Sequence, residues 1–231
     1  MTQNTGKLLV VASPIGNLQD LTPRMHQSLQ EADIIAAEDT RRTKILCTHL
    51  HIEKPHLIRC DEMKEQQVTK GLIDKLQSGQ TVALISDAGT PCISDPGWRL
   101  VFEARKSDIP VIPIVGPSAI TAALSVSGFP ATPFTFYGFL DKKKTRSLQT
   151  LTEMFASNHT SVFFESPYRI EKTLHQLLEI EPTRLILMIR EISKKFEESL
   201  FGTVTQVKER ISTTKGEWTI VISPNHDRFK G

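Results

Sequence analysis

Two short stretches of this chain combine residue types that can do acid–base and anion chemistry. In EDTRRT, residues 38–43, Glu38 and Asp39 stand directly before Arg41 and Arg42. A carboxylate at the end of an apolar run, beside guanidinium groups, has the make-up of a general base that meets an anionic substrate. The same residues would also make an ordinary solvated helix start, where acids favour the positive N-terminus. Glu38 is the first candidate base and Asp39 the second. The second stretch is SDAGTPCISDPG, residues 86–97, which places two Gly, two Pro and two Asp in one loop. Gly89 and Gly97 permit positive φ or close backbone approach, while Pro91 and Pro96 stiffen what the glycines loosen. A rigid loop with open main-chain groups suits a flat or polar ligand.

Three further loops share that style. In VGPSA, residues 115–119, Gly116 precedes Ser118 and Ala119, whose amides would open a helix and whose small side chains would admit a ligand. ESPYR, residues 165–169, brings Glu165, Ser166 and Arg169 to a strand end, and Lys215–Glu217 stands at the mouth of the last apolar run. SPIGNL, residues 13–18, occupies the place of a dinucleotide fingerprint but has one glycine, and no G-x-x-x-x-G-K-[ST] occurs. Rossmann-type and P-loop nucleotide binding are therefore disfavoured. Cys47, His49, His51, His56 and Cys60 are metal-ligand types, yet their spacing fits no standard zinc pattern, so no metal is expected. Without a G-x-S-x-G elbow, Ser166 is a poor nucleophile.

The elements that would position these loops alternate. Apolar β-rich runs at 8–12, 33–38, 56–60, 81–86 and 110–115 are separated by helical patterns, one opening at Thr22 with Pro23 in the first turn and others near 41–50, 64–77 and 96–106. Nearly continuous apolar strands between helices predict a parallel sheet covered on both faces. Further strands are expected at 134–140, 161–166, 185–190, 198–203 and 217–223, the last three with less helix between them, hence a mixed sheet. The fold class is α/β in two domains, residues 1–116 with the five-stranded parallel sheet and 117–231 with the mixed sheet, and a ligand cleft between them. Ligands of open α/β sheets bind beyond the carboxyl ends of the strands, which is where the unusual loops fall.

Bulk properties are permissive. The 231 residues are 39% hydrophobic and 23% charged, with net charge +2, enough for a sizeable core and too balanced to name a partner. Residues 1–115 hold 13 basic against 14 acidic residues and residues 116–231 hold 15 against 12. Basic runs stand at Lys142–Arg146 and Ser193–Lys195. The three cysteines are no disulfide framework and suit a reducing cytoplasm. The first residues do not read as a signal peptide, and no apolar run approaches the ~20 residues of a membrane span.

Taken in order, LVVASPIGNLQDLT, ADIIAAEDTRRT, ALISDAGTPCISDPG, IVGPSAITAALSVSGFP, FYGFL, FFESPYR and KGEWTIVI resemble the small-subunit ribosomal RNA methyltransferase I family of the tetrapyrrole-methylase (class III) superfamily. The likeness runs from about Lys7 to Ile222. Where that family shows an aromatic–His–acidic run after the third strand, this chain has RCDEMKE, residues 59–65. The resemblance implies S-adenosylmethionine (SAM) in the cleft, a cytoplasmic homodimer, and the small ribosomal subunit as partner, with a cytidine 2′-hydroxyl in the decoding centre of 16S rRNA as acceptor. It places Pro14, Ala88, Gly89, Thr90, Ile93, Ser118 and Ala119 around SAM, and Asp87, Pro91, Gly116, Glu165, Ser166, Lys215 and Glu217, on the same strand-end loops, are read with them as the cofactor site. Glu38, with Asp39 and Arg41, becomes the catalytic group. Arg42, Lys142, Lys143, Lys144, Arg146 and Arg169 would hold RNA. A tetrapyrrole C-methylase and a non-catalytic SAM- or RNA-binding module are the other readings of the same residues.

Overall fold

The computed structural model describes residues 5–229. The chain divides into two units, Met1–Ser118 and Ala119–Gly231.

The first unit is built on five short strands, β1 (Leu8–Val11), β2 (Ile34–Ala37), β3 (Leu57–Arg59), β4 (Val82–Ile85) and β5 (Val111–Ile114). They form one sheet in the order β3-β2-β4-β1-β5, every pairing parallel. All residues of β2 and β4 are buried, as expected for central strands with helices on both faces. Successive residues point to opposite faces, so Leu8, Ile34, Val82 and Leu84 pack on one side, and Leu9, Val11, Ile35, Ala83 and Ile85 on the other. The crossovers are α1 (Pro23–Glu31), α2 (Thr40–His49), α3 (Glu65–Gln77) and α4 (Trp98–Lys106). Thr22 caps α1 through its hydroxyl, which accepts from the Met25 amide at 3.1 Å, with Pro23 in the first turn. Because the strands are parallel, the loops that follow β1, β2, β4 and β5 all leave at one edge of the sheet.

The second unit opens with α5 (Ala119–Val126), the helix of small residues expected from its sequence. Its sheet has the order β6-β7-β10-β8-β9. These strands are β6 (Phe134–Phe139), β7 (Thr160–Glu165), β8 (Leu185–Arg190), β9 (Glu198–Thr203) and β10 (Trp218–Ile222). β6 runs parallel to β7, while β10 is antiparallel to β7 and β8, and β8 to β9, so the sheet is mixed. Helices α6 (Lys144–Ala156), α7 (Ile170–Ile180) and α8 (Val204–Arg210) complete the unit. Trp218, Ile220 and Ile222 share one buried face with Phe163 and Met188, and Val221 faces the other side beside Leu187 and α5.

No helix among the described residues is long and apolar enough to cross a membrane.

Candidate active site

At the strand-end edge of the first unit, the loops after β2 and β4 latch to one another. Glu38 follows β2 and accepts the Asp87 amide on Oε2 at 3.0 Å. Asp87 follows β4 and accepts the Asp39 amide on Oδ1 at 3.1 Å. Each carboxylate thus satisfies the backbone of the other loop, which fixes both without a turn of regular structure. Arg42, on the first turn of α2, lies with Nη1 3.3 Å from Asp87 Oδ2. Asp39 itself faces out as the N-cap of α2. It accepts the Arg41 amide at 2.8 Å and holds the Arg41 guanidinium at 3.0 and 2.6 Å.

Electrostatics separates these groups. Burial pushes the Glu38 carboxyl above its usual range; the Asp87 amide bonded to it opposes this most strongly, and the charges of Asp87 and Arg42 add smaller effects of opposite sign. Arg41 pairs with Asp39, and the desolvation of Glu38 outweighs the Asp87 amide and the Arg42 guanidinium together. Asp39 is held well below the carboxylate range by its bonds to Arg41, so as a second candidate base it is a poor proton acceptor at neutral pH. Asp87 is raised, chiefly by burial.

The sequence reading missed Asp95. Its carboxyl is pushed up to about 7, first by burial and then by the charge of Glu38. The signal was the second Asp of SDAGTPCISDPG, read only as part of a rigid loop. Two carboxyls within electrostatic reach, one titrating near neutrality, are the kind of pair that takes up or gives a proton at working pH.

The loop at 86–97 is anchored at both ends. Ser13 and Gly89 pair like a two-residue ladder, Ser13 N–H to Gly89 O at 2.8 Å and Gly89 N–H to Ser13 O at 3.0 Å. Gly89 sits at φ +76°, a conformation that suits glycine. Its main chain is thus committed to the loop after β1 rather than open to a ligand, whereas the Ala88 and Thr90 amides donate to no partner among the described residues. Those two groups, flanking an immobile glycine, fit a polar ligand laid along the loop. Ile93 projects outward, 54% exposed, and Pro91 is buried. At the far end a Cβ on Gly97 would lie 2.6 Å from Leu84 Cδ2, so Gly97 serves core packing. Glu65, 3% exposed, accepts the Gly97 amide at 3.1 Å and the Arg99 amide at 2.7 Å on one oxygen, capping α4 from the start of α3. Glu65 is the last residue of the divergent run 59–65. Gly116 lies against Ala12, where a Cβ would come within 3.0 Å of the Ala12 Cβ.

A groove of about 180 Å³ opens between the loop after β1 and α2. Ser13, Pro14, Thr43, Ile85 and Ser86 form its buried floor, and Leu18, Arg42, Ile45 and His49 its exposed rim, with Asp87 at one side.

In the second unit, Trp218 pairs with both Glu165 and Arg190, so the loop after β7 and the Lys215–Glu217 segment share one end of the sheet. Glu165 is 1% exposed, and both of its oxygens are engaged. Oε1 accepts the Ser166 amide and faces Arg169 Nη2 at 2.8 Å, and Oε2 accepts the Thr173 hydroxyl at 2.7 Å. This carboxylate, expected at the cofactor, is an internal tie of the start of α7. Arg169 also donates to the Leu140 carbonyl at 2.8 Å, which binds the loop after β6 to the loop after β7. Lys142, Lys143, Lys144 and Arg146 lie exposed on that first loop and the start of α6, where Asp141 pairs with Arg146 at 3.3 Å. Glu217 takes Lys194 Nζ at 2.7 Å, and Lys215 is exposed. Ser118 ends the first unit and Ala119 begins α5.

Cys47 is buried in the core, and the Cys60 and Cys92 thiols are pushed up to about 12 and about 11 by burial, so these sulfurs are packing groups. Among the described residues no three His, Cys, Asp or Glu side chains gather as a metal site.

Residues 7–208 match the family model described as Tetrapyrrole (Corrin/Porphyrin) Methylases. The chain is 44% identical over 227 residues to the ribosomal RNA small subunit methyltransferase I of Halalkalibacterium halodurans, covering 97% of this chain and 78% of that protein. It is 43% identical over 220 residues to the protein of the same name from Thermotoga maritima, covering 94% and 98%. Its fold is shared with a crystal structure of uroporphyrin-III C-methyltransferase from Thermus thermophilus complexed with S-adenyl homocysteine, at TM-score 0.63 and 18% identity over 94% of this chain and 97% of that one.

Proposed function

The chain is a SAM-dependent methyltransferase of the tetrapyrrole (corrin/porphyrin) methylase family, and we propose that it methylates the ribose 2′-oxygen of a cytidine in the decoding centre of 16S ribosomal RNA, within the small ribosomal subunit. The observation that carries this reading is the identity of 43–44% along nearly the whole chain with proteins named for small-subunit ribosomal RNA. The tetrapyrrole alternative has behind it the description of the wider family and a solved structure 18% identical, a likeness that speaks for the fold alone. The reading includes the cytoplasm, where small subunits are assembled, and the homodimer that the family resemblance implies.

SAM supplies an electrophilic methyl on sulfonium. The residues that would hold it in this unit are those with open main chain, Ala88 and Thr90, on a loop immobilised by the Ser13–Gly89 pair and by Glu65. Rigid positioning of the two reacting centres can supply several kcal/mol, about 7–11 for a well-aligned pair. Glu38 accepts the proton that leaves the 2′-oxygen, a role worth roughly 10²–10⁴-fold in rate. Its latch to the Asp87 amide keeps one oxygen fixed, and burial makes it a stronger base than a solvated carboxylate. Asp95, pushed up to about 7 by burial and by the charge of Glu38, is a second carboxyl that changes protonation state near neutral pH. Arg42 and the exposed Lys142–Arg146 run hold phosphates.

The test is methyl transfer from labelled SAM to small subunits isolated from a strain lacking the gene, followed by digestion to nucleosides. Label in 2′-O-methylcytidine supports the reading. Label only on an added tetrapyrrole, or on no acceptor, overturns it.

A further inference from the structure

We propose that the groove between the Ser13–Leu18 loop and α2 receives the nucleobase of the acceptor nucleotide. This inference rests on the RNA-methylating reading above and adds where the base is held.

Size comes first. Pockets that bury a drug-sized ligand measure about 300–1,000 Å³, so a groove of about 180 Å³ would enclose only part of the methyl donor and is of a size for one planar ring. Its surfaces come next. Leu18 is 45% and Ile45 72% exposed, and both stand on the rim above buried Pro14. Ile45 interrupts a helix face that is otherwise cationic and polar, with Arg41, Arg42, Lys44 and His49 all exposed. At 72% exposure Ile45 buries little of its side chain in the fold. It suits a ligand that is apolar on its faces and anionic along its backbone, which describes a nucleotide in a single strand.

The polar edge is also built. Arg42 Nη1, a donor, stands 3.3 Å from Asp87 Oδ2, an acceptor, and Asp87 Oδ1 is already engaged by the Asp39 amide. One donor beside one acceptor matches the Watson–Crick edge of cytosine, whose N4 amino group donates and whose neighbouring N3 accepts. The edge is also coupled to the chemistry, because the amide of the same Asp87 holds Glu38 Oε2 at 3.0 Å. A base read by Asp87 thereby carries its ribose to the side of the groove where the proton acceptor stands.

The test uses single substitutions on the exposed rim, Leu18→Glu and Ile45→Glu, with Lys75→Glu, an exposed position on α3 outside the groove, as the control for added negative charge. Methylation of gene-deletion small subunits is expected to lose about tenfold or more in kcat/KM, through KM, in both rim variants. Calorimetric SAM affinity and melting temperature stay within error, and Lys75→Glu loses less than either rim variant. A 4-thiopyrimidine at the acceptor position should photocrosslink to the peptide holding residues 42–49. Unchanged kcat/KM in both rim variants, or a crosslink confined to other peptides, overturns the proposal while leaving RNA methylation by the wild type intact. A change of oligomeric state in Ile45→Glu by light scattering also overturns it, since the rim would then be a subunit contact. A wild type that methylates no RNA overturns this proposal together with the reading beneath it.

Discussion

Removing the Glu65 carboxylate should loosen the loop at 86–97 from its far end. Glu65 is almost fully buried, and one of its oxygens accepts two amides at the start of α4, from Gly97 and Arg99, at 3.1 and 2.7 Å. Its other oxygen is 4.0 Å from Arg99 Nε, too long to add much. Hydrogen bonds to a charged acceptor contribute about 1.5–3 kcal/mol each, and a lost helix cap costs about 0.5–2. Two amides sharing one oxygen should sit at the lower end, so Glu65→Ala should destabilise the fold by about 3 kcal/mol. For a chain of this size that is a fall in melting temperature of roughly 6–12 °C. Glu65→Gln keeps an oxygen acceptor of the same shape and should lose about 1 kcal/mol. The functional consequence is more specific. Gly97 ends the loop that presents Ala88 and Thr90, so Glu65→Ala should also weaken SAM binding severalfold at a temperature where it is still folded. Denaturant unfolding and calorimetry at 20 °C measure both quantities. If Glu65→Ala melts within 2 °C of wild type, the cap does not hold the loop. A full loss of stability with unchanged SAM affinity would show that the 97 end does not position the ligand groups.

Glu38→Gln preserves an acceptor for the Asp87 amide and removes the base, so single-turnover methylation should fall about 10²-fold with SAM affinity unchanged, and a rate within threefold of wild type would leave the chemistry to positioning alone. Asp95 titrates at about 7 in the folded chain against ~3.9 unfolded. Its proton therefore favours the folded state, fully below pH ~4, and that contribution fades as pH rises through about 7. Asp95→Asn should flatten the dependence of stability on pH between 4 and 7, and the wild-type transfer rate should rise with pH through about 7 in a way the variant does not. Replacing Lys142, Lys143, Lys144 and Arg146 with Ala should reduce the slope of log affinity for small subunits against log salt, since fewer counterions are released, with SAM affinity unchanged. An unchanged slope makes that run solvated surface.

Much of the fold was legible because strong periodic signals met no competition. The five apolar runs of the first unit lie where the sequence places them, one or two residues shorter at their ends, and Thr22–Pro23 opens α1 as the capping rules require. The mixed second sheet was legible from strands following one another closely, while α6, α7 and α8 were not singled out. The site was only half legible. Spacing showed that Glu38 and Asp87 end buried strands, but not that each would accept the other loop's amide across 49 and 48 positions of sequence. Nor did it show that Arg41 would turn to Asp39. Local side-chain capping won that guanidinium, which left burial to set the proton affinity of Glu38. Asp95 was missed because its character comes from burial near another carboxyl, which no spacing reveals. Gly89 was rightly read as a special backbone position, but its partner is Ser13.

The most direct measurement of the central claim is the 2′-O-methyl content of the decoding-centre cytidines in 16S rRNA from a gene-deletion strain, complemented with wild type or with Glu38→Gln. Primer extension at limiting nucleotide concentration gives the position, and mass spectrometry of the matching oligonucleotide gives the methyl group. The account predicts one methylated cytidine ribose that is absent in the deletion, restored by wild type, and restored slowly or incompletely by Glu38→Gln. An identical methylation pattern in the deletion and complemented strains would contradict it.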